Sequence, residues 1–416
     1  MAGGKGTRIS SIASEIPKPM IKICGKPVLE HEINCLKNQG FNDLIITVGH
    51  LGHVIVDYFG DGSGFGVNIE YYVEQEPLGN AGALFKLKEK LTEDFLLLNG
   101  DAVFDIDFNR FVEYHKQKKG LVTLFTHPNG HPYDSGLIIA DEFGAVEKWL
   151  TKEDERPEYY RNRVNAGLHI ISPIVLDRQI DSQKIDLDRH ILKPLAGSGE
   201  MFIYDSPEYV KDMGTPDRYE GVCRDFSNGI VQGKNLKQKQ KAIFLDRDGT
   251  INKLVGFLRN IEEFDLITGV TDAIKKINAS GYLAIVVTNQ PVIARGEVTY
   301  SELRDIHNKM ETLLGLEGAY LDAIYFCPHH PNKGYEGEIR ELKIDCECRK
   351  PKPGMLLQAA KDFNIDLSES WMIGDSEMDV KAGIASGCRT AYIGIDNYNQ
   401  NISGASLNEI VSKIIG

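Results

Sequence analysis

The sequence is poor in the features that would mark it as an extracellular or membrane protein. Seven cysteines in 416 residues are too few and too unevenly placed for a disulfide scaffold. No apolar run reaches the ~18 residues that cross a bilayer, and the N-terminus lacks the basic-then-apolar order of a signal peptide. Positive charge is also short, with a formal net charge of -13. That balance excludes sequence-wide attraction to nucleic acid or anionic lipid. Any phosphate the protein handles must therefore be held by local cations, a metal or backbone amides. A reducing cytoplasm is the expected location. The 42% hydrophobic and 26% charged content is that of a globular chain, and the length suffices for two or three domains.

What is there is organised around Phe244-Leu245-Asp246-Arg247-Asp248-Gly249-Thr250. A short apolar run leads into two carboxylates one residue apart, the pattern of a buried parallel strand that ends in an acidic loop. In open α/β sheets such strand ends line the reactive crevice. Carboxylates this close repel unless a cation compensates them, so Mg²⁺ is the expected companion. Three further strand ends or loops follow in order: Ile285-Val286-Val287 into Thr288-Asn289-Gln290, Arg349-Lys350-Pro351, and Trp371-Met372-Ile373 into Gly374-Asp375-Ser376-Glu377-Met378-Asp379.

From residue 241 to 416 this order resembles the haloacid-dehalogenase (HAD) phosphatases. The resemblance implies that Asp246 is the nucleophile and that Asp248 is the acid and base. Thr288 and Asn289 would hydrogen-bond the phosphoryl oxygens and Lys350 would neutralise the group in flight, with Lys352 as a rival. Asp246, the backbone carbonyl of Asp248, and Asp375 would hold Mg²⁺. The interval between the first two motifs leaves no room for a large cap domain, which favours small substrates.

Cys327-Pro328-His329-His330 and Cys346-Glu347-Cys348 offer three thiolates and an imidazole on two loops. Such a set suits a closed, structural tetrahedral Zn²⁺, with His329 as the ligand and His330 its outward neighbour. CPHH, CxCRKP and TNQxxIARG resemble the heptose bisphosphate phosphatase and histidinol-phosphatase branch of the superfamily. Pro291-Val292 stand where that branch often has Ser-Gly. Arg349 becomes the candidate for a substrate's second phosphate.

The N-terminal half begins Met1-Ala2-Gly3-Gly4-Lys5-Gly6-Thr7-Arg8 and continues to Lys18 in Pro17-Lys18-Pro19. Glycines let backbone amides approach a phosphate, and Arg8 and Lys18 can neutralise it. The spacing is not that of a Walker A loop. Alternating helix and strand patterns follow, including the strand Leu44-Ile45-Ile46-Thr47-Val48 and the run Phe95-Leu96-Leu97-Leu98 into Asn99-Gly100-Asp101. They predict a doubly wound α/β sheet.

Over residues 1 to 222 these motifs resemble the sugar-1-phosphate nucleotidyltransferases. The resemblance implies a triphosphate loop at Gly3, Gly4, Gly6 and Arg8, with Lys18 beside it. A base-reading loop would run from Gln75 through Gly79 to Gly82, with Asn80 where Thr is usual. Asn165 and Gly167 would face the sugar, Asp101 and Asp212 would hold Mg²⁺, and Lys152 would take the sugar phosphate, with Lys148 as a rival. The family's apolar strand before the Gly-rich loop has no counterpart after Met1, and an upstream start is the expectation.

The expected domains are 1–226 (nucleotidyltransferase), a Lys- and Gln-rich linker at 227–240, and 241–416 (HAD phosphatase with its zinc loop). Together they imply consecutive chemistry of nucleotide-sugar biosynthesis for lipopolysaccharide or capsule. A 7-phosphate would be removed from D-glycero-D-manno-heptose 1,7-bisphosphate, and the 1-phosphate would then be nucleotidylated, with GTP as the chosen donor. Partners would be sugar phosphates and a nucleoside triphosphate, with no nucleic acid and no membrane; homo-oligomerisation stays open. Also open are other nucleoside triphosphates, a sensing rather than catalytic N-terminal half, and histidinol phosphate as the phosphatase substrate.

Overall fold

The computed structural model describes residue 1 and residues 16–416, apart from 152, 179, 181 and 183 and the side chain of residue 134. Gly3, Gly4, Gly6, Arg8 and Lys152 lie outside the described residues. The chain divides into two compact units: 1–127, 136–151 and 165–235 in the first; 128–135, 152–164 and 236–416 in the second. Two short stretches of the N-terminal half therefore belong with the second unit. Within 227–240, Ile230–Gly233 form a helix whose Val231 is buried.

In the first unit, Asp43–Val48 pairs in parallel with Asn68–Val73. A larger sheet orders Met201–Asp205, Val122–His127, Val164–Ile171, Leu137–Ala140 and Val146–Leu150, and Phe95–Leu98 also pairs with Val164–Ile171. That last pairing is antiparallel, Leu168 opposite Leu98. Ala102–Asp105 and Tyr209–Asp212 form an antiparallel ribbon that sets Asp212 opposite Ala102. The doubly wound expectation is met by an α/β unit, but antiparallel pairings interrupt its parallel core.

The second unit is simpler because its strands are apolar on both faces. Six parallel strands run in the order Ala323–Cys327, Leu283–Asn289, Ala242–Leu245, Trp371–Gly374, Arg389–Ile393 and Ile402–Gly404. Every residue of Ala242–Leu245 is buried, and alternation decides which core each enters. Ile243 and Leu245 pack with Ile274, Ile277, Ile410 and Val411 of helices Val270–Ala279 and Leu407–Ile415. Ala242 and Phe244 pack with Met355, Leu356 and Ala382 of helices Gly354–Phe363 and Glu377–Ser386. Strands covered by helices on both faces are the arrangement that parallel sheets require. Only the helix Val270–Ala279 and a single 3-10 turn, Ile261–Glu263, lie between the first two motifs, so no cap domain is inserted there. Among the described residues no helix is long and apolar enough to cross a membrane.

Residues 160–163 are held to the helix Tyr300–Leu316 by buried polar contacts. The Tyr160 amide donates to Thr312 Oγ1 at 2.9 Å, the Asn162 amide donates to Glu311 Oε2 at 2.5 Å, and Arg163 pairs with the same oxygen at 3.5 Å. Both partners of the ion pair are almost fully buried. Removing one of two buried, paired charges strands the other, at about 3–5 kcal/mol. Glu311→Ala is expected to lower the second unit's stability by about that amount in chemical denaturation. A loss below about 1 kcal/mol would show that water replaces the missing carboxylate.

Candidate functional site

The acidic loop begins where the central strand Ala242–Leu245 ends. The Asp246 amide donates to the Ile373 carbonyl at 2.9 Å, which ties the loop to the neighbouring strand whose own end carries Asp375. Gly249 makes the loop's return possible: its φ is +85°, and a Cβ there would sit 1.9 Å from Asp375 Oδ2. A side chain at 249 would meet the carboxylate directly.

One oxygen each of Asp246, Asp375 and Asp379 lies within 4.8 Å of the others. Asp379 was not anticipated from the sequence. It sits in the first turn of helix Glu377–Ser386, where the Ser376 amide and hydroxyl both donate to its Oδ2 at 3.1 and 2.6 Å. Lys350 Nζ bridges the cluster, donating to Asp246 Oδ1 at 2.7 Å and Asp379 Oδ1 at 2.6 Å. Burial would lower the Lys350 pKa, but the charges of Asp246 and Asp379 outweigh it and raise it. Asp246 is pushed up to about 7, by burial first and then by Asp379, against the pull of Lys350. Asp375 is pushed up to about 6 by burial and by Asp379. Three clustered carboxylates and one buried ammonium leave net negative charge, and hard oxygen ligands at this spacing suit Mg²⁺.

The side chain of Asp248 stands outside that cluster. It is held by Arg247 Nη2 at 2.9 and 3.0 Å, by Asn252 Nδ2 at 3.0 Å and by Gln290 Nε2 at 2.9 Å. The acidic set that gathers here is thus Asp246, Asp375 and Asp379, whereas Asp248 is oriented separately. Thr288 is buried at its strand end, and its hydroxyl accepts from Gln290. Asn289 departs from expectation. Its Nδ2 donates to the Lys350 carbonyl and its Oδ1 accepts from the Lys350 amide, both at 3.0 Å. The asparagine clamps the lysine's backbone, which makes it a positioning residue. Lys352, the rival, pairs with Asp345 at 2.9 Å and Glu347 at 3.1 Å on the surface, away from the acidic cluster. Arg349 is half-buried and donates to the His329 carbonyl at 3.2 Å.

Cys327, His329, Cys346 and Cys348 converge just upstream of Lys350. Sulfur separations are 3.1, 3.3 and 3.5 Å, and His329 Nδ1 lies 3.3 Å from Cys348 and 3.6 Å from Cys327. A tetrahedron with Zn–S bonds of ~2.3 Å has edges of ~3.8 Å, so the four donors fit one ion with slight expansion. The Cys348 thiol is pushed down to about 5, chiefly by hydrogen bonds from Cys327, Cys346 and His329. His330 is not the outward neighbour expected. It is buried, packs edge-on to Tyr335 and accepts from the Asn332 amide.

In the first unit Lys18 Nζ pairs with Asp101 Oδ2 at 3.0 Å. Asp212 ends its strand opposite the residue after Asp101, accepts from the Gly214 amide and pairs with Arg218 at 2.7 Å. Arg218 carried no sequence signal beyond its place one turn into a helix. Gly79 lies against the Ile185 carbonyl, and Asn80 Oδ1 accepts from the Leu187 amide at 2.7 Å, so Asn80 fastens the loop that contains the exposed Gln75. Asn165 Oδ1 accepts from the Gly167 amide, and Gly167 abuts the Asn99 side chain. Lys148 lies exposed on the strand Val146–Leu150.

Residues 1–227 match the family model for nucleotidyl transferases, and residues 347–404 match the HAD-hydrolase-like model. The D-glycero-beta-D-manno-heptose-1,7-bisphosphate 7-phosphatase of Yersinia pestis is 44% identical over 37% of this chain and 80% of its own length. The chain belongs to the nucleotidyl transferase family and, in its C-terminal part, to the heptose bisphosphate phosphatase family. The 7-phosphatase of Haemophilus influenzae is 47% identical over 35% of this chain and 76% of its own length. Mannose-1-phosphate guanylyltransferase of Mycobacterium tuberculosis is 30% identical over 57% of this chain and 66% of its own length. The protein is an enzyme that joins a phosphatase to a nucleotidyltransferase, and phosphatases of the HAD class use Mg²⁺.

The raised carboxyls set a pH dependence. Because the folded values of Asp246 and Asp375 lie above the ordinary 3.8, the folded, metal-free unit binds more protons than the unfolded chain between about pH 4 and 7. Its stability should fall as pH rises through that window. Mg²⁺ must displace the same protons, so its apparent affinity should climb steeply from pH 5, up to about a hundredfold per pH unit where both carboxyls are protonated and about tenfold where one is, and flatten above about pH 7. Calorimetry in two buffers of different ionisation enthalpy would measure the released protons. A flat affinity across the window would contradict the raised values.

Proposed function

We propose that the second unit hydrolyses the 7-phosphate of D-glycero-D-manno-heptose 1,7-bisphosphate and that the first unit transfers a nucleotidyl group to the resulting heptose 1-phosphate. The observation that carries the phosphatase reading is the buried Lys350 bridging Asp246 and Asp379. It holds one cation where a transferring phosphoryl group needs it, beside a carboxylate at the end of the central strand.

Asp246 is the nucleophile, and its free carboxylate oxygen attacks phosphorus to form an aspartyl-phosphate while the sugar oxygen leaves. Asp248 donates the proton to that leaving oxygen and later takes one from the water that cleaves the intermediate. Arg247, Asn252 and Gln290 hold its carboxylate in place throughout. Asp246, the backbone carbonyl of Asp248, Asp375 and Asp379 would hold Mg²⁺, directly or through water, and the ion would supply charge compensation for the phosphoryl oxygens. Lys350 neutralises the group in transit, and Asn289 fixes the lysine's backbone. Arg349 would contact the substrate's second phosphate, the one that is not removed. Zn²⁺ in the Cys327, His329, Cys346 and Cys348 set would be structural, since four protein donors leave no open position.

In the first unit Asp101 and Asp212 would hold the second Mg²⁺, and Lys18 and Arg8 would offset charge on the departing pyrophosphate. Positioning and charge compensation suffice, so no protein nucleophile is needed. GTP is the proposed donor, supported by the likeness to a guanylyltransferase. A cytoplasmic place follows from such substrates.

Asp246→Asn is expected to abolish phosphate release from the bisphosphate and leave pyrophosphate release from supplied heptose 1-phosphate and GTP intact; Asp101→Ala should do the reverse. Phosphate and pyrophosphate would be assayed separately with each nucleoside triphosphate. Phosphate without pyrophosphate under all of them would make the first unit a binding module, and activity on histidinol phosphate alone would displace the heptose reading. Metal analysis should return about one Zn²⁺ per chain. Cys348→Ser should lose it and lower the second unit's melting temperature, and an unchanged protein free of zinc would remove that ion from the account.

A further inference from the structure

Arg247 stands between the two aspartates of the acidic loop and is fully buried. Its guanidinium grips the Asp248 carboxylate with Nε at 3.3 Å and Nη2 at 2.9 and 3.0 Å. The remaining nitrogen, Nη1, meets Nε2 of His307 at 3.2 Å. A guanidinium carries donors alone, so the imidazole must accept through a bare Nε2 and keep its proton on Nδ1. The ring is accordingly neutral: burial first, and then the Arg247 charge, hold it well below the ordinary histidine range.

His307 has little freedom to move. It lies within the helix Tyr300–Leu316 and packs edge-on to Phe326, with ring centroids 5.8 Å apart. Lys309 of the same helix donates from Nζ to the Ile261 carbonyl at 2.9 Å. One turn beyond His307, Glu311 and Thr312 accept from the amides of Asn162 and Tyr160. The helix that carries the ring is thus fastened on either side of its middle, and the ring passes that fixity to Arg247. Asn252 and Gln290 also donate to Asp248, but each reaches one oxygen, whereas Arg247 reaches both.

We infer that His307 is a positioning residue for phosphate-ester cleavage: its Nε2 anchors Arg247, and Arg247 in turn holds the Asp248 carboxyl in place for proton transfer. The inference rests on the phosphatase reading, in which Asp248 gives a proton to the sugar oxygen as the P–O bond breaks and later takes one from water. Asp248 then alternates between carboxyl and carboxylate. Its bond to Arg247 is charge-assisted on both sides only in the second form, so in the first the guanidinium needs an anchor whose charge does not change. An uncharged acceptor meets that need. A carboxylate at 307 would compete with Asp248 for the guanidinium, and an imidazolium would repel it. With no acceptor there, a buried Nη1–H would be stranded and the guanidinium left free to shift. The proton tally of the reaction is untouched, because His307 neither gives nor takes one.

Two measurements on the full chain test this. Nitrogen NMR of the unaltered protein at neutral pH should find His307 with Nε2 bare and Nδ1 protonated, the ring being assigned by the signal that His307→Gln removes. A proton on Nε2 would overturn the inference, and this measurement needs no variant to be active. The second is kinetic. With the heptose bisphosphate, His307→Leu should lower kcat by about tenfold or more while KM stays within about twofold, the split expected when an interaction of the transition state alone is lost. His307→Gln, whose amide oxygen can accept from Nη1, should recover kcat to within about threefold of the unaltered chain. Para-nitrophenyl phosphate separates positioning from a general loss of structure, because nitrophenolate leaves without a proton. Its release in a single turnover should agree among the three proteins to within about twofold. Equal slowing of both compounds by His307→Leu, no slowing of either, or no recovery with His307→Gln would overturn the inference. If the unaltered chain releases phosphate from neither compound, the phosphatase reading falls, and the NMR result still decides whether His307 anchors Arg247.

Discussion

Three carboxylates gathered at the ends of two adjacent strands have to be kept together against their own repulsion. At an effective dielectric near 20, each pair of unit charges 4 Å apart repels by about 4 kcal/mol. Lys350 answers this by touching two of the three, at 2.7 and 2.6 Å, from a position with almost no exposure. One cation against three carboxylates leaves the cluster negative, and that remaining deficit is what suits it to the proposed divalent ion rather than to a closed salt bridge.

Much of the second unit serves to keep that lysine where it is. Asn289 closes two hydrogen bonds on its backbone, so the last residue of the strand Leu283–Asn289 fixes a segment 61 residues later. Cys346 and Cys348 lie immediately upstream and converge with Cys327, the last residue of the sheet's edge strand, and with His329. A four-donor set on two loops would convert a long, irregular segment into a rigid arm. With the proposed Zn²⁺ bound, the cluster would bear on chemistry without touching a substrate, by fixing where the chain stands when it reaches residue 350.

What could be read from the sequence follows from how local each signal is. Buried parallel strands are uniform apolar runs, so the strands at 242–245, 283–289 and 371–374 were legible, and the residues that end them came with them. Asp379 was not, because a carboxylate in the first turn of a helix looks like an ordinary capping residue; it does cap, through Ser376, and only the fold reveals that its other oxygen faces Lys350. Spacing could not separate Lys350 from Lys352 in a Lys-Pro-Lys-Pro run. Depth separates them, since one is buried among carboxylates and the other pairs with Asp345 and Glu347 in solvent. Asn289 was expected to hydrogen-bond the phosphoryl oxygens because the resemblance implies it, and nothing local says that a distant backbone also uses its amide. In the first unit, Asp101 and Lys18 were legible from their motifs, but the antiparallel pairings, which depend on contacts distant in sequence, were not.

The two proposed phosphorus centres compensate charge in opposite ways, and the difference matches their proposed tasks. In the first unit each carboxylate has its own cation, Lys18 on Asp101 and Arg218 on Asp212, and both pairs are partly exposed. Such pairs contribute only about 0–1 kcal/mol, so a metal ion arriving with a triphosphate can take the carboxylates while the freed cations turn to phosphate oxygens at little cost. In the second unit the pairing is buried, and separating it would cost several kcal/mol. A site that must receive two polyanions and an ion together gains from loosely held charges that can exchange partners. A site that uses its own carboxylate as the nucleophile, the role proposed for Asp246, needs that group and its cation fixed before substrate arrives, and the buried Asp246–Lys350 pair meets that need.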